Sequence, residues 1–60
     1  MCEFKVIFNG EKVFEDAVCL ESKDGKVTLK SILGETKELE GCQIAEVNVS
    51  SERVVLVPRK

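Results

Sequence analysis

The fold is decided by residues 23–33, which read KDGKVTLKSIL. Lys23-Asp24-Gly25 is a turn signal, because Asp and Gly favour tight reversals of the chain. The residues that follow alternate between apolar and polar side chains, which is the pattern of a strand with one buried face. The pattern predicts a strand over residues 26–33. Its expected buried face holds Val27, Leu29 and Leu33, and its polar face holds Lys26, Thr28 and Lys30.

Similar short alternating segments lie on both sides of this strand, and each predicts a further strand. The second segment is expected to bend near Glu15-Asp16. Residues 35–40 fit either a short strand or a single helical turn. The flanking strands are predicted over residues 3–8, 12–22, 43–49 and 53–57. The side chains expected to point inward from them are Phe4, Val6, Phe8, Phe14, Val18, Leu20, Ala45, Val47 and Val49.

Turn residues separate these segments. Asn9-Gly10 predicts a hairpin, because both residues tolerate positive φ. Gly34 and Gly41 interrupt the alternation, and Pro58 ends the last strand because it has no backbone N–H. Five to seven short strands at this spacing predict an all-β chain, folded as a single domain over residues 1–60. The expected architecture is a small antiparallel β-barrel, SH3-like or Sm-like.

Composition excludes several classes of function. The net charge of −2 supplies no overall basic balance of the kind that nucleic-acid binders show. No apolar run approaches the ~20 residues that a membrane-spanning helix needs, so no membrane partner is expected. The first residues lack the basic segment and apolar stretch of a secretory signal, which predicts a cytoplasmic protein.

The chain is not expected to be an enzyme. It contains no His, so the commonest general base is missing, and the serines have no evident activating partner. Its three cysteines form no CxxC pair, which argues against a zinc finger within one chain. Glu35, Glu38 and Glu40 fit a solvated surface. Cys19 and Cys42 fit structural positions and receive no role.

Several apolar residues fall on faces that should meet water. Residues 54–57, Val-Val-Leu-Val, are apolar on both sides of the last strand, and a strand of that kind is usually covered on both sides. Other apolar residues lie on the face of their strand opposite the one expected in the core. They are Ile7, Ile32 and Ile44, and the same holds for Val54 and Leu56. A two-fold homodimer is the expected cover. The alternative is a tight barrel whose central strand hides these residues internally.

Cys2 directly follows the initiator Met1. Removal of Met1, which a small second residue permits, would leave a free α-amine and a thiol on one residue, and together they can chelate a metal ion. Near a two-fold axis, two copies would offer two thiolates and two nitrogens, the nitrogens coming from the α-amines or from deprotonated Glu3 amides. A planar set of that kind favours Ni(II) or Cu(II), and a tetrahedral one favours Zn(II). The alternative is that Cys2 is only a small residue at a frayed terminus.

Two stretches carry a family resemblance. The first six residues, MCEFKV, and residues 39–49, LEGCQIAEVNV, resemble the CooT family of small carbon monoxide dehydrogenase nickel-accessory proteins, whose relatives are often described as predicted RNA-binding proteins. The resemblance implies a β-barrel homodimer that binds one Ni(II) at its interface through Cys2, with carbon monoxide dehydrogenase or its maturation proteins as partners. Hydrogenase maturation chaperones of the HypC type also begin Met-Cys, but they carry a proline soon afterwards that this chain lacks.

Two alternatives to a metal-binding accessory protein stay open. One is an RNA-binding barrel, although single-stranded RNA recognition usually needs exposed aromatic side chains. The only aromatic residues, Phe4, Phe8 and Phe14, all fit core positions. The other is a metal-free interaction module whose second apolar face docks another protein.

Overall fold

The computed structural model describes residues 3–59. Within that range the chain contains only strands and turns, which confirms the all-β prediction, and it has no helix that could span a membrane. Residues 35–40, which the sequence left undecided, are a strand. The six strands are β1 Phe4–Phe8, β2 Glu11–Lys23, β3 Lys26–Ser31, β4 Thr36–Glu40, β5 Cys42–Asn48 and β6 Arg53–Pro58.

The strands form one mixed sheet in the order β4-β3-β2-β1-β6-β5. Four strand pairs are antiparallel, but β1 and β6 run parallel, which corrects the prediction of a purely antiparallel sheet. The physical reason is that β6 is reached only after four intervening strands, so its direction beside β1 is not dictated by a hairpin. Alternation of apolar and polar residues indicates which face of a strand is buried, but it does not indicate which strand lies beside it.

The predicted closed barrel is not confirmed, because β4 and β5 form the two edges of the sheet. They are consecutive in sequence but are separated by Gly41, whose φ of 72° turns the chain sharply. The sheet still coils enough to bring β3 and β5 into contact. The carbonyl of Gly25 accepts hydrogen bonds from the backbone N–H groups of Gly41, at 2.8 Å, and Cys42, at 3.4 Å.

Both predicted two-residue hairpins are present. Asn9 and Gly10 have φ values of 53° and 77°, and Asp24 and Gly25 have 52° and 76°. Two successive positive φ values give the turn whose twist matches the flanking strands. These turns fix β1 against β2 and β2 against β3.

The long strand β2 bends where the sequence predicted it. Asp16 has a φ of 60°, and on either side of it β2 pairs first with β1 and then with β3. The register with β3 shifts between Ala17 and Cys19, which leaves Val18 as the extra residue of a bulge. Val18 is therefore 43% exposed, and its predicted inward orientation is wrong.

The buried core is built from one face of the coiled sheet. Val54 and Leu56 belong to this core, which corrects their assignment to an outer face that a partner would cover. The alternative of internal burial is correct for these two side chains. The fully buried residues are Val6, Ala17, Val27, Leu29, Cys42, Val54 and Leu56, and packed against them are Phe4, Phe8, Val13, Phe14, Leu20, Leu39 and Ile44.

Strand β3 ends two residues earlier than predicted. The hydroxyl of buried Ser31 accepts hydrogen bonds from the backbone N–H groups of Leu33, at 3.2 Å, and Glu35, at 3.1 Å. A serine side chain offers the backbone an alternative to the strand ladder, and here it folds residues 31–35 into a turn. Leu33 is consequently 81% exposed, and its predicted burial is wrong.

Strand β5 also contains a bulge, at Ala45. Ile44 pairs with Leu56, but the next paired residue is Glu46 with Val55, so the faces of β5 exchange after Ala45. Ile44 therefore packs against the core, whereas Ala45 is exposed. Val47 and Val49 are 55% and 62% exposed, because β5 is an edge strand with nothing packed over its end. Their predicted burial is wrong, although Val47 lies opposite buried Val54 on the core-facing side of the sheet.

Candidate metal and subunit-contact site

Cys2, the predicted metal ligand, lies outside the described residues. It precedes β1 by two residues, so the described surface that bears on the prediction is the end of the sheet where β1 begins. Strand directions determine what else lies there. β1 and β6 both begin at this end because they are parallel, and β5 finishes at it because it is antiparallel to β6.

Pairing across the sheet brings two connections to the same end. Phe4 pairs with Ala17, and Ala17 pairs with Ser31. The β3–β4 turn of residues 32–35 follows Ser31, so it begins level with Phe4 across the sheet. The β5–β6 turn of residues 49–52 leads directly into β6, and the backbone N–H of Lys5 donates to the carbonyl of Glu52 at 2.9 Å. Both turns therefore flank the start of β1.

These elements expose apolar side chains. Within residues 3–59 the exposed large hydrophobic residues are Val18, Ile32, Leu33, Val47 and Val49, and all five lie at or beside this end of the sheet. We call this set the apolar end. A concentration of exposed apolar side chains on so small a protein is typical of contact surfaces, whereas single scattered ones would need no explanation.

Hydrogen bonds hold the apolar end in place. In the β5–β6 turn, the backbone N–H of Glu52 donates to the carbonyl of Val49 at 3.2 Å, and that of Ser51 donates to the side chain of Asn48 at 3.0 Å. In the β3–β4 turn, the N–H of Ile32 donates to the carbonyl of Asp16 at 3.0 Å. A partner would therefore meet a preformed surface, and binding would cost little ordering of these turns.

The two other cysteines lie in different environments. Cys42 is fully buried at the start of β5, six residues or about 20 Å of strand from the end where β1 begins. Burial raises the pKa of its thiol, which donates a 3.5 Å hydrogen bond to the carbonyl of Leu39. Cys19 is exposed on β2, two residues beyond Ala17, the partner of Phe4. Within residues 3–59 no three Cys, Asp or Glu side chains are grouped closely enough to hold a metal ion.

The aromatic residues lie where the sequence predicted. Phe4, Phe8 and Phe14 are all partly buried and pack against the core. Stacking of an unpaired base needs an open aromatic face. The expectation of an RNA partner therefore gains no support from these three side chains.

A charged cleft that the sequence did not predict lies at the opposite end of the sheet. Its volume is about 650 Å³, and it lies between the β2–β3 hairpin, the β4–β5 corner and the residue after β6. The signal that could have found it is the pair of lysines that flank the two-residue turn at Asp24-Gly25. The lining residues are Lys23, Asp24, Gly25, Lys26, Glu40, Gly41 and Arg59.

Comparison with known proteins agrees with the two stretches that carry the resemblance. The family model for the CO dehydrogenase accessory protein CooT matches residues 1–57. The chain is also 32% identical over 56 residues to an uncharacterized protein of Methanocaldococcus jannaschii, an alignment that covers 93% of this chain and 96% of that protein. The family is described as an accessory one and not as a catalytic one. The chain belongs to the CooT family of CO dehydrogenase accessory proteins.

Proposed function

We propose that this chain is a nickel-binding accessory protein for carbon monoxide dehydrogenase, which holds Ni(II) between two copies through Cys2. Family membership supports the accessory role. The observation that carries the rest is the position of the apolar end, which surrounds the start of the strand that Cys2 precedes. A second copy seated there would bring two N-terminal residues toward each other. The proposed site of action is the cytoplasm.

The proposed ligands are the Cys2 thiolate and the α-amine freed by removal of Met1. One chain supplies one of each, which leaves a planar four-ligand site half complete, and a second copy supplies the other half. Thiolate and nitrogen together suit Ni(II). Both groups must lose a proton to bind, and their ordinary pKa values are about 8.5 and about 7.7–8.0, so affinity should fall as the pH drops below that range.

The apolar end has the right character for the contact between copies. A standard stable interface buries about 800 Å² per partner. The described chain has a total accessible surface of 4144 Å², so such an interface would take about a fifth of it. Burial of Leu33, Val47 and Val49 would supply the apolar centre that homodimer interfaces favour.

The test of the metal site is native mass spectrometry of the untagged protein with and without Ni(II). We expect a dimer that has lost Met1 and binds one nickel. Cys2→Ser should abolish tight binding, whereas Cys19→Ser, the matched control on an exposed thiol, should keep it. Unchanged nickel affinity in the Cys2→Ser protein would rule the site out. A metal-free dimer would instead support the interaction-module alternative.

The test of the contact surface is sedimentation velocity of lysine variants. Leu33→Lys and Val49→Lys each place a charge in the apolar end, so we expect monomers that still fold. Gln43→Lys is the control, because Gln43 is exposed near the opposite end of β5 and accepts the same charge. Dimers that survive both apolar-end substitutions would place the interface elsewhere.

A further inference from the structure

The charged cleft offers a second site that the proposed nickel function does not use. It lies at the turn end of β2 and β3, whereas the apolar end lies where β1 begins. Its basic lining residues are Lys23, Lys26 and Arg59, and its acidic ones are Asp24 and Glu40. The lining therefore carries a net charge of +1, from three cations and two anions. The whole chain carries −2, so the remainder carries −3 and the cleft is a positive region on an acidic protein.

The hairpin at this end contains an electrostatic conflict. Lys23 and Lys26 are direct partners across the two-residue turn, so their side chains leave neighbouring backbone positions. Like charges directly opposite each other destabilise an antiparallel pair. Two carboxylates on β4 offset part of this conflict on the Lys26 side. That of Glu38 lies 3.8 Å from the ammonium of Lys26, with both side chains about half exposed, and Glu40 is the direct partner of Lys26 across the sheet. An anion between the two lysines would remove the repulsion.

Arg59 is held over the same turn. Its backbone N–H donates to the carbonyl of Gly41 at 2.8 Å, which fixes the chain beyond β6. Its guanidinium lies against Gly25, and a Cβ at that position would collide with Nη1. Within residues 3–59 no carboxylate lies within 4.0 Å of the side-chain nitrogens of Arg59 or Lys23. A guanidinium fork and an ammonium group thus face the cleft without an ion-pair partner among residues 3–59.

These contacts point to a ligand with several negative oxygens. A guanidinium binds phosphate through two parallel hydrogen bonds, and lysines add point charges around it. The volume of about 650 Å³ is in the range of small-molecule sites. No aromatic or aliphatic side chain lines the cleft, so its distinctive recognition groups are the charged ones. We propose that this cleft binds a compact polyphosphate group, free or as part of a nucleotide, through Arg59, Lys23 and Lys26.

The experiment is a titration of metal-free protein with sodium pyrophosphate, followed by amide chemical shifts in NMR spectra. We expect saturable shifts at Gly25 and Gly41 and none at Val47 or Val49. Arg59→Gln should weaken binding about tenfold, since it removes the only guanidinium from the site. Lys30→Gln is the matched control, because it removes the same charge from an exposed β3 residue outside the cleft, and we expect less than about a twofold effect.

A parallel titration with ATP in the absence of magnesium separates the two sources of phosphate. Similar affinity for ATP and pyrophosphate would identify the phosphate chain as the recognised group. Binding of ATP without binding of pyrophosphate would overturn the proposal, because recognition would then depend on the nucleoside. Equal weakening by Arg59→Gln and Lys30→Gln would also overturn it, since diffuse attraction to surface charge would explain the shifts. Neither result depends on Cys2 or nickel.

Discussion

Replacement of Leu29 and Leu33 by alanine, one at a time, separates the core from the apolar end. The two leucines lie four residues apart in the stretch KDGKVTLKSIL, and alternation predicts both on the same buried face. In the fold Leu29 is fully buried in β3, whereas Leu33 follows the strand and is 81% exposed. The same chemical change should therefore have very different effects.

The magnitudes follow from burial. Leu29→Ala removes a fully buried side chain and leaves a cavity, which costs about 2–5 kcal/mol. A domain of 60 residues has a stability of about 3–9 kcal/mol, so this variant loses much of it and unfolds in part. Leu33 buries only about a fifth of its surface within the chain, and full burial of a leucine contributes about 1.5–3 kcal/mol. Leu33→Ala should thus cost the monomer about 0.5 kcal/mol or less.

The assay is urea denaturation followed by circular dichroism, at two protein concentrations well apart. A dimer gains stability with concentration, because association favours the folded state. We expect Leu29→Ala to lower the midpoint at both concentrations, and Leu33→Ala to reduce the dependence on concentration with little effect in dilute solution. Equal losses for both variants in dilute protein would refute the assignment of Leu33 to an exposed turn. A wild-type midpoint that does not change with concentration would argue against the dimer.

Three further predictions concern single residues. Gly25→Ala should destabilise the protein by about 1–2 kcal/mol in urea denaturation, because alanine is strained at a φ of 76° and its Cβ would collide with Arg59. Burial raises the pKa of Cys42, so the stabilisation that its thiol contributes to the fold is complete below its ordinary pKa of 9.0 and is lost as the pH rises through the folded-state pKa. Cys42→Ala should therefore remove this loss of stability at alkaline pH from a stability–pH profile. The hydrogen bond and charge of Lys12 lower the pKa of Glu15 from 4.5, so Lys12→Gln should raise it toward that value in a carboxyl titration by NMR. A Glu15 titration that Lys12→Gln leaves unchanged would show that this ion pair is absent in solution.

Local signals account for the parts of the fold that the sequence predicted. The turns at Asn9-Gly10 and Asp24-Gly25 are determined by two residues each, and both form as expected. The core face of β1 follows from simple alternation, because both register shifts in its pairing with β2 place the extra residue on β2 and leave the parity of β1 unchanged. These features depend on residues that are adjacent in sequence, and a sequence pattern shows such residues directly.

The bulges escaped prediction because they depend on neighbours in space. Val18 becomes an extra residue where β2 bends between β1 and β3, and Ala45 becomes one in an edge strand that pairs only with β6. Neither residue has a distinguishing mark in the sequence. One extra residue shifts the alternation of faces by one position, which explains why Ile44, expected on the face opposite the core, packs against the core. The apolar end therefore could not be predicted from the sequence. Cys2, whose proposed role depends on the apolar end, could be identified from the sequence.

The parallel pairing of β1 and β6 has the largest consequence for function. It places the start of both strands at one end, so the β5–β6 turn flanks the start of β1, and it directs Arg59 to the opposite end. If β6 ran antiparallel to β1, Arg59 would lie beside the apolar end and far from Gly25. A second copy on the apolar end therefore leaves the charged cleft of each chain open, and nickel and polyphosphate would occupy separate ends of the protein.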